Sequence, residues 1–166
     1  MALLGISIPG KKFNNRYIKL RGNFMQNFVI YKPNSSKTGS AMSIDFNNTK
    51  KSIFLEFAKQ KEERSFDWQN KLIFKLSSQD IAKICVVLKK EKDNLQLFHD
   101  PNKSINKSTI KNAVLKITKN SFGFSFRINQ QEKDNSINSI SINLTEEEIY
   151  ILLIIFNKAI ETIYLG

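Results

Sequence analysis

The sequence predicts an α+β chain in which a strand-rich stretch closes on a helix, and the same order of elements then repeats. Three observations predict this. The stretch LTEEEIYILLIIFNKAIETIYLG from Leu144 onward opens with Thr145 and, three residues later, Glu148. That is a capping box, in which hydroxyl and carboxylate each satisfy one orphan N–H at a helix start. The second observation is that LSSQDIAKI at 76–84 and LTEEEIYIL at 144–152 share a pattern: Leu, a hydroxyl residue, two polar residues, an acid, Ile and an apolar end. The third is that the stretches ahead of both helices alternate apolar and polar residues with the period of a strand. Two capping boxes can arise independently, but the order sheet, helix, sheet, helix does not depend on common descent.

Taken in order, residues 1–27 show little periodicity, and IPGKKFNN carries turn and charge signals, so this segment reads as a basic N-terminal arm ahead of a domain at 28–166. Residues 1–44 contain Lys and Arg but no acid. Organellar transit segments share that trait, and the reading preferred here is a basic tail that touches nucleic acid. Phe28–Tyr31 starts a strand, and KPNSSKT at 32–38 is a loop rich in Pro, Asn and Ser. Strands are expected at 39–46, 51–59 and 66–76, with KQKEERS between the last two as a hairpin loop. In the second, Ile53, Leu55 and Phe57 share one face, and Phe54 and Glu56 the other. In the third, Phe66, Trp68, Leu72, Phe74 and Leu76 fall together, opposite Lys71, Ile73 and Lys75.

Ser77 then caps a helix with Ile81, Ile84, Cys85 and Leu88 on its inner stripe, and Lys89 and Lys90 at the end that suits cations. Strands follow at 94–100, 112–119, 122–130 and 137–144, with the basic loop PNKSINKST after the first of them. On 122–130, Phe122, Phe124, Phe126 and Ile128 oppose Ser125, Arg127 and Asn129. The final helix carries a stripe of Ile149, Leu153, Phe156, Ile160 and Ile163, and Tyr150, Ile151, Leu152, Ile154 and Ile155 make its first turns apolar nearly all round. Its apolar run is too short to cross a bilayer, which takes roughly 20 residues, so protein is expected to cover it, a neighbouring subunit included.

With 166 residues, the chain can bury a genuine core. Its 26 Lys and Arg against 15 Asp and Glu give a net charge of +11, and a polyanion is the first partner that such a balance implies. Thirteen Phe set among those cations favour single-stranded nucleic acid, whose bases stack on rings while cations follow the phosphates. One Cys and one His exclude an internal disulfide framework, a Cys-based zinc site and a His triad. Cys85 lies on a helical stripe and reads as a buried, inert thiol. No phosphate-binding glycine loop, dinucleotide fingerprint or HExxH motif occurs, so neither enzyme nor cofactor is expected. His99 and Asp100 are strand neighbours on opposite faces and cannot easily form a base and its orienter.

Three stretches make the chain resemble the Whirly family. FDWQNKLIFKLSSQDIAKI is similar to that family's YDW…K…F.LS pattern, LFHDPNK to its FFHDP segment, and the last helix to the family's final helix, including the ending Tyr164, Leu165, Gly166. The resemblance implies two antiparallel four-stranded β-sheets with helices packed between and beneath them. It also implies binding of single-stranded DNA with little sequence preference, and a homotetramer built on its helices. The family's KGKAAL motif is partly matched: after Lys32 comes an extra loop, in which Lys37 can stand in for a missing Lys, then Gly39, Ser40, Ala41 and Met42.

The expected nucleic-acid-binding set joins rings such as Phe54 and Phe66 to Lys32, Lys37, Lys59, Lys71, Lys75, Lys116 and Arg127, with Ser40 and Met42 added by the partial motif. The expected role is protection, repair, replication or transcription of DNA, in the cytoplasm or on a nucleoid, or else in a mitochondrion or plastid. Two rivals are an RNA-binding or annealing protein of related fold and a transcription cofactor whose basic surface meets an acidic protein.

Overall fold

A computed structural model describes residues 28–47, 52–100 and 109–165; the expected arm at 1–27 and the loop from Pro101 to Ser108 lie outside them. The first strand-rich stretch forms β1 (Phe28–Lys32), β2 (Ser40–Asn47), β3 (Ser52–Glu62), β4 (Ser65–Phe66) and β5 (Leu72–Leu76), followed by helix α1 (Ser78–Leu88). The second forms β6 (Asn94–His99), β7 (Ile110–Asn120), β8 (Gly123–Glu132) and β9 (Ile137–Thr145), followed by α2 (Glu146–Tyr164). The sheet–helix–sheet–helix order of an α+β chain is therefore realised.

All pairings are antiparallel. In sheet 1 the order is β1-β2-β3, with β4 and β5 lying end to end along the far side of β3; in sheet 2 it is β6-β7-β8-β9. Sheet 1 thus holds one short strand more than expected, because 66–76 is not continuous. Asp67 interrupts the strand with a local turn, accepting hydrogen bonds from the Asn70 N–H at 3.2 Å and the Asn70 amide at 2.8 Å, after which the chain continues along β3 in the same direction. This is an Asx turn, a local alternative to the strand ladder.

Both helix starts are built as their sequences imply. Ser77 and Asp80 exchange hydrogen bonds at the head of α1, and Thr145 and Glu148 at the head of α2. Ile30, Met42, Phe57 and Leu72 line one inner row of sheet 1; Leu97, Leu115, Ile128 and Ile140 line one of sheet 2. These rows, α1 and α2 share a single core. On α2 the buried stripe is Ile149, Leu152, Phe156 and Ala159, with Leu153 and Ile160 only partly covered. Tyr150, Ile151 and Ile154 are left facing out. No described helix is long and apolar enough to cross a membrane.

The sheets also touch directly at two polar points: the Ser40 hydroxyl donates to the Ser141 carbonyl at 2.7 Å, and the Gln130 amide donates to the Ile73 carbonyl at 2.7 Å. Phe122 departs from the expected alternation. It sits in the turn before β8, is 78% exposed, and donates its N–H to the Asn120 side chain. Gly123 follows at φ +147°, and a Cβ there would fall 2.2 Å from the Leu144 carbonyl. Gly123→Ala is expected to cost about 1–3 kcal/mol, read as a lower thermal midpoint.

Candidate nucleic-acid interface

The register decides which expected contacts face solvent. On the outer face of sheet 1 stand Tyr31, Asp45, Phe54, Glu56, Ile73 and Lys75. Two of these are acids, and Lys71 from the adjoining turn is tied to Glu56 at 2.7 Å. Phe54 and Phe66 are half-buried; Phe66 packs against Tyr31 with ring centroids 5.3 Å apart, and Tyr31 is the more open of the two rings.

The outer face of sheet 2 is different. Gln96, Lys116, Arg127 and Ser141 form one row across its four strands, flanked by the row Phe98, Val114, Asn129 and Ser139. None of the described residues in these strands with that orientation is acidic. Lys116 and Arg127 are directly opposed and exposed, and like charges so placed repel. Phe98 stands beside them with 61% of its surface open. The expected set omitted Phe98 although the alternation of Leu95, Leu97 and His99 inward leaves it outward.

The remaining expected residues divide. Lys32 reaches Glu148 at 2.7 Å, while Glu148 also accepts the Thr145 N–H, so this lysine fastens β1 to the head of α2. Lys37 has φ 57° in the 33–39 loop and pairs with Glu62 at 2.8 Å, both side chains largely exposed. That hydrogen bond holds the Glu62 carboxyl below the usual carboxylate range. Gln60, buried beneath the loop, accepts the N–H groups of Asn34 and Gly39 at 3.0 Å each. Gly39 permits this approach, since a Cβ would meet the Lys32 carbonyl at 2.2 Å.

Met42 is fully enclosed and Ser40 nearly so, with its hydroxyl committed to Ser141; both are corrected to packing positions, because the strand that carries them turns them inward. Lys59, Lys75, Lys116 and Arg127 are exposed and have no ion-pair partner among the described residues.

His99 does not pair with Asp100. Its Nε2 lies 3.2 Å from Asp80, the capping carboxylate of α1, and its ring stacks on Phe74 at 4.2 Å. Burial pushes the Cys85 thiol up, in keeping with an inert core residue. Among the described residues no group of three or more His, Cys, Asp and Glu could hold a metal.

This architecture has solved counterparts. WHY3 from Arabidopsis thaliana superposes with a TM-score of 0.69 at 25% identity, over 86% of this chain and 90% of that one. A guide-RNA-binding protein complex bound to a guide RNA matches with a TM-score of 0.59 over 81% of this chain and 89% of that one; at 11% identity it shows the fold alone. In sequence, the chain is 32% identical over 108 residues to the single-stranded DNA-binding protein WHY1, chloroplastic, of Solanum tuberosum, covering 63% of this chain and 39% of that protein's length. The family described as Whirly transcription factor matches residues 27–155, so the chain belongs to the Whirly family.

Proposed function

We propose that this chain binds single-stranded DNA with little sequence preference and without catalysis, as a homotetramer assembled through the exposed stripe of α2. The observation that carries the reading is the acid-free outer face of sheet 2, where two opposed cations stand beside an open phenyl ring. Among the described residues the cations there have no protein anion to neutralise, and a phosphate backbone supplies one. The ring offers a surface on which any base can stack, which gives affinity without a sequence code. Asn, Gln, Ser and Thr side chains make up most of the rest of the face, with Val114 and Ile137 among them, and the polar groups can hydrogen-bond either edge of a base. The relative named as a single-stranded DNA-binding protein supports the choice of ligand. Its chloroplast address favours an organelle as the compartment. Protection, repair, replication and transcription of DNA all make use of such binding.

Fluorescence anisotropy of a labelled mixed-sequence single strand, with duplex DNA and RNA of the same sequence as competitors, tests this. Binding is expected to be salt-sensitive, with log K falling by roughly 2 per decade of salt if three phosphates are neutralised, and duplex is expected to compete poorly. RNA that displaces the strand better than DNA does would make RNA the ligand. No binding at low salt would turn the search to an acidic protein partner.

A further inference from the structure

We infer that the open edge of β9 takes up an extended acidic peptide of a partner protein as an added strand, in the cleft between that edge and Lys59 of sheet 1. Unlike the nucleic-acid surface proposed above, this site is made mainly by backbone groups. The Glu132 N–H bonds to the Ser136 carbonyl at 2.9 Å, where the β8–β9 ladder starts. Bonding across an antiparallel pair alternates, so Gln130, Ile128 and Phe126 are the residues of β8 that bond to Asn138, Ile140 and Ile142. The N–H and C=O groups of Ile137, Ser139 and Ser141 therefore point away from β8. Sheet 1 shows the same direction, since the Ser40 hydroxyl reaches the Ser141 carbonyl from that side.

β9 is the last strand of its sheet. Ile137, Ser139 and Ser141 are exposed, and from Ile137 to Thr145 no Lys, Pro or bulge guards the edge. A cleft runs along it. A groove of about 350 Å³ beside Ser139 and Ser141 adjoins one of about 370 Å³ beside Asn138, and Lys59 walls both. Lys59 continues the inward row of Ile53, Leu55 and Phe57 beyond the end of the core, so a cation stands on the side of sheet 1 that faces β9.

Hydrogen bonding and charge together select the occupant. The edge offers donors and acceptors in alternation: the N–H and C=O of Ser139, and the N–H of Ser141 beside its occupied carbonyl. Another polypeptide strand matches that alternation, whereas a phosphate group has acceptors alone and leaves the Ser139 carbonyl without a donor. Charge then selects the side chains. Lys59 has no ion-pair partner among the described residues, while Lys37 at the rim is held by Glu62. Asp67 is the one acid among the described lining residues, and its carboxylate is engaged by Asn70. A carboxylate on the added strand supplies the anion that Lys59 lacks, which favours an acidic partner over a neutral or basic one.

The test uses the full chain and a short labelled peptide of alternating Val and Glu, with alternating Val and Lys as the control. Fluorescence anisotropy is expected to show salt-sensitive binding of the acidic peptide alone. Lys59→Gln is expected to weaken it about threefold, the effect of one exposed charge pair, and Lys75→Gln, on the outer face of sheet 1, to leave it unchanged. Ser139→Pro is expected to weaken it about tenfold, the effect of one backbone hydrogen bond. Proline is tolerated there because the N–H that it removes points away from β8. Amide hydrogen exchange gives a readout that needs no variant: the Ser139 and Ser141 N–H groups are expected to exchange fast in the free protein and to slow when the acidic peptide is added. Equal binding of both peptides, or binding that leaves those two amides fast, would overturn the inference. A single-stranded oligonucleotide that slows them when the peptide does not would make the cleft a nucleic-acid surface instead. No peptide binding at all would overturn the added strand and leave the nucleic-acid reading of the sheet 2 face intact.

Discussion

Ile154→Lys is expected to break the assembly while leaving the chain folded. Ile154 faces out from α2 with about half of its surface open, and Tyr150 and Ile151 lie beside it on the same side of the helix. The opposite stripe is already buried in the shared core, where α2 packs against β8, β9 and α1. An apolar face on a helix that needs no further cover from its own chain is the face that another subunit covers in the homotetramer proposed above. Burying Ile there contributes about 1.5–3 kcal/mol. An ammonium in its place adds a desolvation penalty of several kcal/mol, and closed symmetry repeats the change in every subunit. Light scattering is expected to show the monomer mass at concentrations where wild type is assembled, with an unchanged circular dichroism spectrum. Binding to a long single strand is expected to weaken by a factor of 10²–10⁴ as multivalency is lost, while a strand short enough for one subunit loses little. A variant that keeps the wild-type mass would remove α2 from the interface.

Much of the fold was legible in the residues, and the limits of that legibility have physical causes. Capping boxes are local: Thr145 and Glu148, or Ser77 and Asp80, need only each other, so they read the same in sequence and structure. Alternation is nearly as local, and it places Ile53, Leu55 and Phe57 correctly. It fails where a turn interrupts a run that still looks periodic. Phe66 and Trp68 continue the spacing of Leu72, Phe74 and Leu76, but Asp67 and Asn70 break the strand between them. Phe122 fails for the same reason, one residue ahead of the glycine that starts β8.

The charges were the least legible part. Lys32 and Glu148 are 116 residues apart, and no local rule joins them. Counting lysines therefore overstates the free positive surface. It took the register to show that the acid-free face is on sheet 2. Met42 and Ser40 entered through a motif resemblance, which carries a position in the chain but not the face to which a side chain turns.

Asp80→Ala is expected to cost about 3 kcal/mol, a drop of roughly 6–12 °C in thermal midpoint for a chain of this size. The carboxylate closes the capping box of α1 by accepting the Ser77 N–H at 3.0 Å and hydroxyl at 2.7 Å, and it lies 3.2 Å from His99, whose ring is stacked on Phe74. One side chain thus links the head of α1 to the end of β6 and, through Phe74, to β5. Removing it strands a helix N–H and a half-buried imidazole together, whereas losing an ordinary cap costs only about 1 kcal/mol. The pH dependence separates this account from a simple packing defect. Burial alone would raise the Asp80 carboxyl, but the Ser77 hydrogen bonds and the nearby His99 outweigh it and hold the carboxyl below its usual value. A depressed folded value means that the unfolded chain binds the proton more tightly. The stabilisation is then fully present above the unfolded value of about 3.9 and is lost as pH falls through the folded one. Wild type is therefore expected to lose stability faster than Asp80→Asn as pH is lowered below about 4. Parallel acid limbs for the two proteins, measured by denaturant unfolding, would show that the carboxylate carries no charge-dependent stability at this site.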